Sequence, residues 1–141
     1  MNIMAEQTIG LQVVTPMGSF YHQEIRQVIF NTTEGEMGVL PGHEPITAIL
    51  DIGKLQIFES KDKKKIAAVT GGFVIVSADE GIRIFADTAE WAEQIDIARA
   101  EASKERAEKR LRTQQANINI ARAEASLRRA LLRLDVAKND R

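Results

Sequence analysis

All nine glycines and all three prolines of this 141-residue chain lie before residue 90. That single asymmetry limits the folds open to it. Ahead of the boundary, apolar residues alternate with period two and glycine breaks the runs. Beyond it the chain is mostly Ala, Glu, Lys, Arg and Leu. Such a switch marks the junction between a β domain and a helical one. It falls within Glu90-Trp91-Ala92-Glu93-Gln94-Ile95-Asp96-Ile97-Ala98-Arg99-Ala100 and divides the chain into residues 1–89 and 90–141.

In the first segment Ile9, Leu11 and Val13 alternate with polar neighbours, and Pro16-Met17-Gly18 then turns the chain. Ile25, Val28, Ile29 and Phe30 form the next run, closed by Thr33-Glu34-Gly35-Glu36. Val39-Leu40 runs into Pro41-Gly42, a dipeptide that presets a turn because Pro fixes φ and Gly accepts a positive one. Ile46, Ala48 and Leu50, then Leu55 and Ile57, alternate on either side of Gly53. Ile66 to Val69 and Phe73 to Val76 flank Gly71-Gly72, and Ile82, Ile84 and Ala86 close the series. Eight to ten short strands at intervals of about 8–12 residues predict an all-β sandwich or barrel. This segment shows no helical periodicity, internal repeat or low-complexity tract.

Several functions are disfavoured. The chain has no cysteine, which removes disulfides and thiolate chemistry. His22 and His43 stand alone, without a second histidine at metal-ligand spacing. No Gly-x-Ser-x-Gly elbow occurs, and the stretch GEMGVLPGH lacks the Gly-Lys-Ser/Thr ending of a phosphate loop. The Lys63–Lys65 run reads as a solvated loop and not as a nucleic-acid patch. Met1–Gln7 has neither a basic nor an apolar signal region, and no run approaches the ~18 apolar residues of a membrane span. Membrane association is therefore expected only through a partner.

Asp96 is a natural N-cap for a helix over Ile97–Arg112, and Ile118–Ala137 reads as a second helix after a turn at Thr113–Asn117. Ala100, Ser103, Ala107 and Leu111 form a seam on the first. Ile120, Ala123, Leu127, Ala130, Leu134 and Ala137 form one on the second. The two predict an antiparallel hairpin. Its seam is rich in alanine, which buries little area, so the hairpin is expected to be marginal and able to detach.

Charge is uneven. Residues 1–89 carry 7 basic and 11 acidic side chains, and residues 90–141 carry 12 and 9. With the turn centred near Gln115, Arg99 lies level with position 131, between Arg129 and Arg133, and Arg106 shares its face. Four guanidinium groups then converge, and a triphosphate would satisfy them because guanidinium donors match phosphate oxygens bidentately. Asp96 and Glu90 lie near enough to accept from an amino-bearing base. Two other readings stand beside this one: a solvated face with i,i+4 partners, and a basic helix that docks on an acidic segment of another protein.

At this point the residues match a known family. The loop Glu34–Pro45 (EGEMGVLPGHEP), Thr70-Gly71-Gly72-Phe73, Phe85-Ala86-Asp87-Thr88-Ala89-Glu90 and Ile95-Asp96-Ile97-Ala98-Arg99-Ala100 occur in order over nearly the whole chain. The chain resembles the epsilon subunits of bacterial F-type ATP synthases, Bacillus-like members above all, counterparts of the mitochondrial delta subunit.

The resemblance implies an α+β fold: an N-terminal ten-stranded antiparallel β-sandwich that binds the rotor, followed by a C-terminal antiparallel helical hairpin that regulates it. It implies a non-catalytic central-stalk subunit of a proton-translocating ATP synthase. The expected partners are the gamma subunit, the c-subunit ring and the catalytic alpha and beta subunits. The expected place is the cytoplasmic face of the bacterial plasma membrane. Glu36 and His43 match the loop that meets the c ring. Arg122, Arg128, Arg129 and Arg133 belong to the basic helix that faces an acidic segment of beta when the hairpin extends and suppresses ATP hydrolysis. Glu90, Ile95, Asp96, Arg99, Ala100, Arg106, Arg129 and Arg133 match the residues that hold ATP when the hairpin is folded down. No obligatory cofactor is implied; ATP enters as a regulatory ligand, with the role of Mg left open. The alternative is a freestanding ATP-sensing module without a rotary partner.

Overall fold

The computed structural model describes residues 7–113 and 119–140. The chain divides into two compact units, Met1–Ala89 and Glu90–Arg141. The element order is β1 (Ile9–Thr15), β2 (Gly18–Ile25), β3 (Gln27–Thr32), β4 (Gly35–Val39), β5 (Ile46–Ser60), β6 (Lys63–Ser77), β7 (Gly81–Ala86), β8 (Ala89–Trp91), a 3-10 turn (Ala92–Gln94), α1 (Ile97–Thr113) and α2 (Ile120–Asn139).

The first unit is built on β5 and β6, two strands of 15 residues each. The first part of β5 pairs with the end of β6, which continues through β7 and β1 to β2. The second part of β5 pairs with the start of β6 on one side and with β3 on the other, and β3 in turn pairs with β4. One sheet, in the order β2-β1-β7-β6-β5-β3-β4, thus closes over itself as two layers. Alternation supplies the buried face: in β3 and in β7 every second residue is buried. Leu11, Val13, Ile25, Leu55, Ile57, Val74, Ile82 and Ile84 are among its fully buried core residues.

Two expectations are corrected. The described residues contain eight strands and not ten, because Gly53 and Gly71-Gly72 do not end their runs. Both strands continue past them, and the pairing skips only Asp51 and Gly71 there before it resumes; counted at that crossing as two strands each, the pair would restore ten. Gly72 is obligatory there: its φ is +126° and a Cβ would fall 2.0 Å from the Phe85 carbonyl oxygen. The sheet is also mixed, since β1 and β7 pair in parallel. Alternation reports which face a residue takes and says nothing of strand direction.

Pro41-Gly42 turns as expected, with His43 N–H donating to the Leu40 carbonyl at 3.1 Å and Gly42 at φ +84°. In the second unit Asp96 caps α1, its Oδ1 accepting from Arg99 N–H at 3.0 Å. Asn119 caps α2 in the same way through Arg122 N–H at 3.1 Å. The helix starting at Ile118 was expected two residues before the observed Ile120. Ile118 itself and the expected turn residues 114–117 lie outside the described residues, whereas Thr113 belongs to α1. The seam is largely as read: Ala100, Ala107, Ala123, Ala130, Leu134 and Ala137 are buried, Ser103, Leu111 and Leu127 are half-buried, and Ile120 is exposed.

Candidate functional site

The second unit holds a cavity of about 350 Å³ between α1 and α2. The antiparallel pairing of two small-residue seams creates it. Ala100 and Ala130, both buried, bring the backbones close, and the longer side chains around them form the walls. From α1 and the turn before it come Gln94, Asp96, Arg99 and Ser103. From α2 come Ser126, Arg129 and Arg133, and Glu90 closes one side.

Arg133 Nε donates to Glu90 Oε1 at 2.6 Å, both side chains being about three-quarters buried. A charge-assisted bond of that length, partly shielded from water, fixes the Arg133 fork. Arg129 Nη2 donates to Ser126 Oγ at 3.1 Å, a neutral acceptor that leaves its charge uncompensated by that bond. Gln94 is held by its own Oε1, which accepts from Trp91 N–H at 2.8 Å. Asp96 lies at the N-terminus of α1, where the exposed peptide dipoles favour negative charge. Three guanidinium groups and two carboxylates therefore wall one space of nucleotide size, with a net charge of about +1.

Six of the eight residues matched to an ATP site line this cavity: Glu90, Asp96, Arg99, Ala100, Arg129 and Arg133. Ile95 is buried beside them and contributes no wall. Arg106 stands behind the walls, its Nη2 donating at 3.0 Å to Oγ of Ser103, which is one of them. Sequence reasoning missed Gln94 and Ser126 as walls and read Ser103 and Ala130 only as seam residues. The spacing of the serines, three residues before Arg106 and Arg129, was the available signal, since i,i+3 places hydroxyl and guanidinium on one face.

The residues expected at partner surfaces are dispersed. Glu36 is exposed on β4. His43 is half-buried after the Pro41-Gly42 turn, its Nδ1–H donating to the Glu44 carbonyl at 2.7 Å. Arg122 and Arg128 are exposed on α2, whereas Arg129 and Arg133 are half-buried. No helix among the described residues is long and apolar enough to cross a membrane.

Comparison with known proteins follows this division. The family described as ATP synthase, Delta/Epsilon chain, beta-sandwich domain matches residues 8–92, and ATP synthase, Delta/Epsilon chain, long alpha-helix domain matches residues 93–138. The chain is 44% identical over 133 residues to an ATP synthase epsilon chain of Caldanaerobacter subterraneus, covering 94% of this chain and 95% of that one. It is 46% identical over 131 residues to an ATP synthase epsilon chain of Halalkalibacterium halodurans, covering 92% and 97%. A chain in the cryo-EM structure of the Euglena gracilis mitochondrial ATP synthase, OSCP/F1/c-ring, superposes with a TM-score of 0.79 at 26% identity, covering 97% of this chain and 84% of that one.

Proposed function

The chain belongs to the delta/epsilon family of ATP synthase subunits, and on that premise we propose that its helical hairpin is an ATP-gated brake on ATP hydrolysis. The subunit itself is non-catalytic and part of the central stalk; membership of that family displaces the freestanding-module alternative. In the proposed reading the sandwich meets the gamma subunit and the c ring, with Glu36 and His43 on the ring side, at the cytoplasmic face of the plasma membrane. The hairpin is the moving part.

The observation that carries the reading is the cavity walled by both helices. Arg99 comes from α1, and Arg129 and Arg133 from α2, so a triphosphate that engages all three ties the helices together. Glu90 and Asp96 offer acceptors for the amino group of adenine. A ligand that binds only the paired hairpin stabilises it by RT ln(1 + [L]/Kd), about 2.7 kcal/mol at a hundredfold excess over Kd. When ATP falls, that term is lost. The hairpin opens, and Arg122, Arg128, Arg129 and Arg133 become available to an acidic segment of a catalytic subunit. The same arginines serve ATP in one state and protein in the other, so the two ligands compete.

The test is calorimetric titration of the isolated chain with MgATP and with MgADP, with Trp91 fluorescence followed in parallel. Trp91 lies next to Glu90 and is bonded to Gln94, both cavity walls. Saturable binding, tighter for ATP than for ADP, is the expected result. No binding at millimolar ATP would overturn the nucleotide reading and leave the arginines to a docking role alone.

A further inference from the structure

The two helices carry one sequence twice. Residues 95–111 read IDIARAEASKERAEKRL and residues 118–134 read INIARAEASLRRALLRL, which agree at 12 of 17 positions with a constant offset of 23. The local structure repeats as well. Asp96 Oδ1 accepts from Arg99 N–H at 3.0 Å and Asn119 Oδ1 from Arg122 N–H at 3.1 Å. Arg106 Nη2 donates to Ser103 Oγ at 3.0 Å and Arg129 Nη2 to Ser126 Oγ at 3.1 Å. The buried Ala100 and Ala107 correspond to the buried Ala123 and Ala130.

A repeat in two antiparallel helices generates a pseudo-two-fold axis. Ser103 and Ser126 are equivalent in the repeat and wall the same cavity, so the axis passes between them. Rotation about it exchanges the helices and carries the cavity's polar walls onto a second set. Asp96 goes to Asn119, Arg99 to Arg122, Arg129 to Arg106 and Arg133 to Arg110, while the two serines trade places. Every arginine of the cavity has an arginine at the equivalent position. The carboxylates do not persist: Asp96 is replaced by the neutral Asn119, and the offset places Thr113 where Glu90 stands.

We propose that the hairpin has a second oxyanion site, formed by Arg106, Arg110 and Arg122 around Ser103 and Ser126. Its chemistry differs from that of the cavity in one respect. Three guanidinium groups remain, but the acceptors suited to a base amino group are gone. The site therefore takes a small inorganic oligophosphate and is indifferent to a nucleobase. Like the cavity, it draws its cations from both helices, so its ligand also favours the paired hairpin. The inference rests on the geometry of the repeat and does not require that ATP fill the cavity.

The test follows backbone amide shifts of the isotope-labelled full chain during titration with inorganic pyrophosphate and, separately, with MgATP. Pyrophosphate is expected to shift the amides of Arg106, Arg110 and Arg122 saturably. The shifts should persist in Arg99→Ala/Arg133→Ala and be lost in Arg110→Ala/Arg122→Ala, whose MgATP affinity should stay within about twofold of the parent. Circular dichroism checks that helix content is retained, and an Arg110→Lys/Arg122→Lys variant, which keeps the charge, should recover part of the binding. Unmoved amides at these three arginines, or shifts that survive in Arg110→Ala/Arg122→Ala, overturn the proposal. Should a variant lose its helices, the parent's shifts decide alone. Pyrophosphate shifts without any ATP binding would sink the nucleotide reading and leave this one standing.

Discussion

The two units of this molecule are held together by different side chains. The sandwich buries Leu11, Ile25, Leu55, Ile57, Ile82 and Ile84 completely, each contributing roughly 1.5–3 kcal/mol relative to exposure. The two helices bury mainly Ala100, Ala107, Ala123, Ala130 and Ala137, with Leu134 and Val136 the larger exceptions. A buried methyl contributes only about 0.8 kcal/mol. The sandwich draws its stability from its own core. On this contrast rests the expectation of a marginal hairpin whose state ligands and partners decide.

The largest expected effect lies on the sandwich side. Ile57→Ala should cost about 2–5 kcal/mol, because it leaves a cavity in a closed core, and chemical denaturation followed on sandwich amides should report that loss. A cost below about 1 kcal/mol would mean that this core is no better packed than the seam. Next is Arg129→Ala/Arg133→Ala, which removes charge-assisted donors from the cavity. Nucleotide affinity should fall at least about tenfold, and inhibition of the assembled enzyme should weaken as well. Unchanged affinity together with unchanged hydrolysis would sink both roles. The smallest is Ala107→Gly, expected to cost about 1 kcal/mol of helix stability. It should speed amide exchange in α1 and α2 without moving the sandwich's denaturation midpoint. Amides of the two helices that exchange as slowly as those of β5 and β6 in the nucleotide-free parent would erase the difference between the units.

Most of this contrast was legible in the sequence. Glycine and proline confined to the first 89 residues, the period-two runs and the Ala/Arg tail separated the units. The hairpin arithmetic placed Arg99 opposite Arg129 and Arg133, as the structure does. The readings that failed have physical causes. Gly53 and Gly71-Gly72 are strand breakers by propensity, yet here they are crossing points, because the sheet on either side continues the ladder. The parallel β1–β7 pair joins residues about seventy apart in sequence, beyond the reach of a local pattern. The helical repeat is visible in the letters alone and acquires meaning only when the helices are antiparallel, since only then does it imply an axis.

The long strands have a mechanical consequence. At about 3.3 Å per residue, β5 and β6 each extend close to 50 Å and run through both layers as one hydrogen-bonded ribbon. A sandwich of separate sheets resists shear only through the friction of its side chains. Here a twist applied to one layer is carried into the other by covalent backbone and by a ladder that resumes on both sides of the crossing. For a stalk subunit, continuity of this kind is a route by which strain in one layer reaches the other.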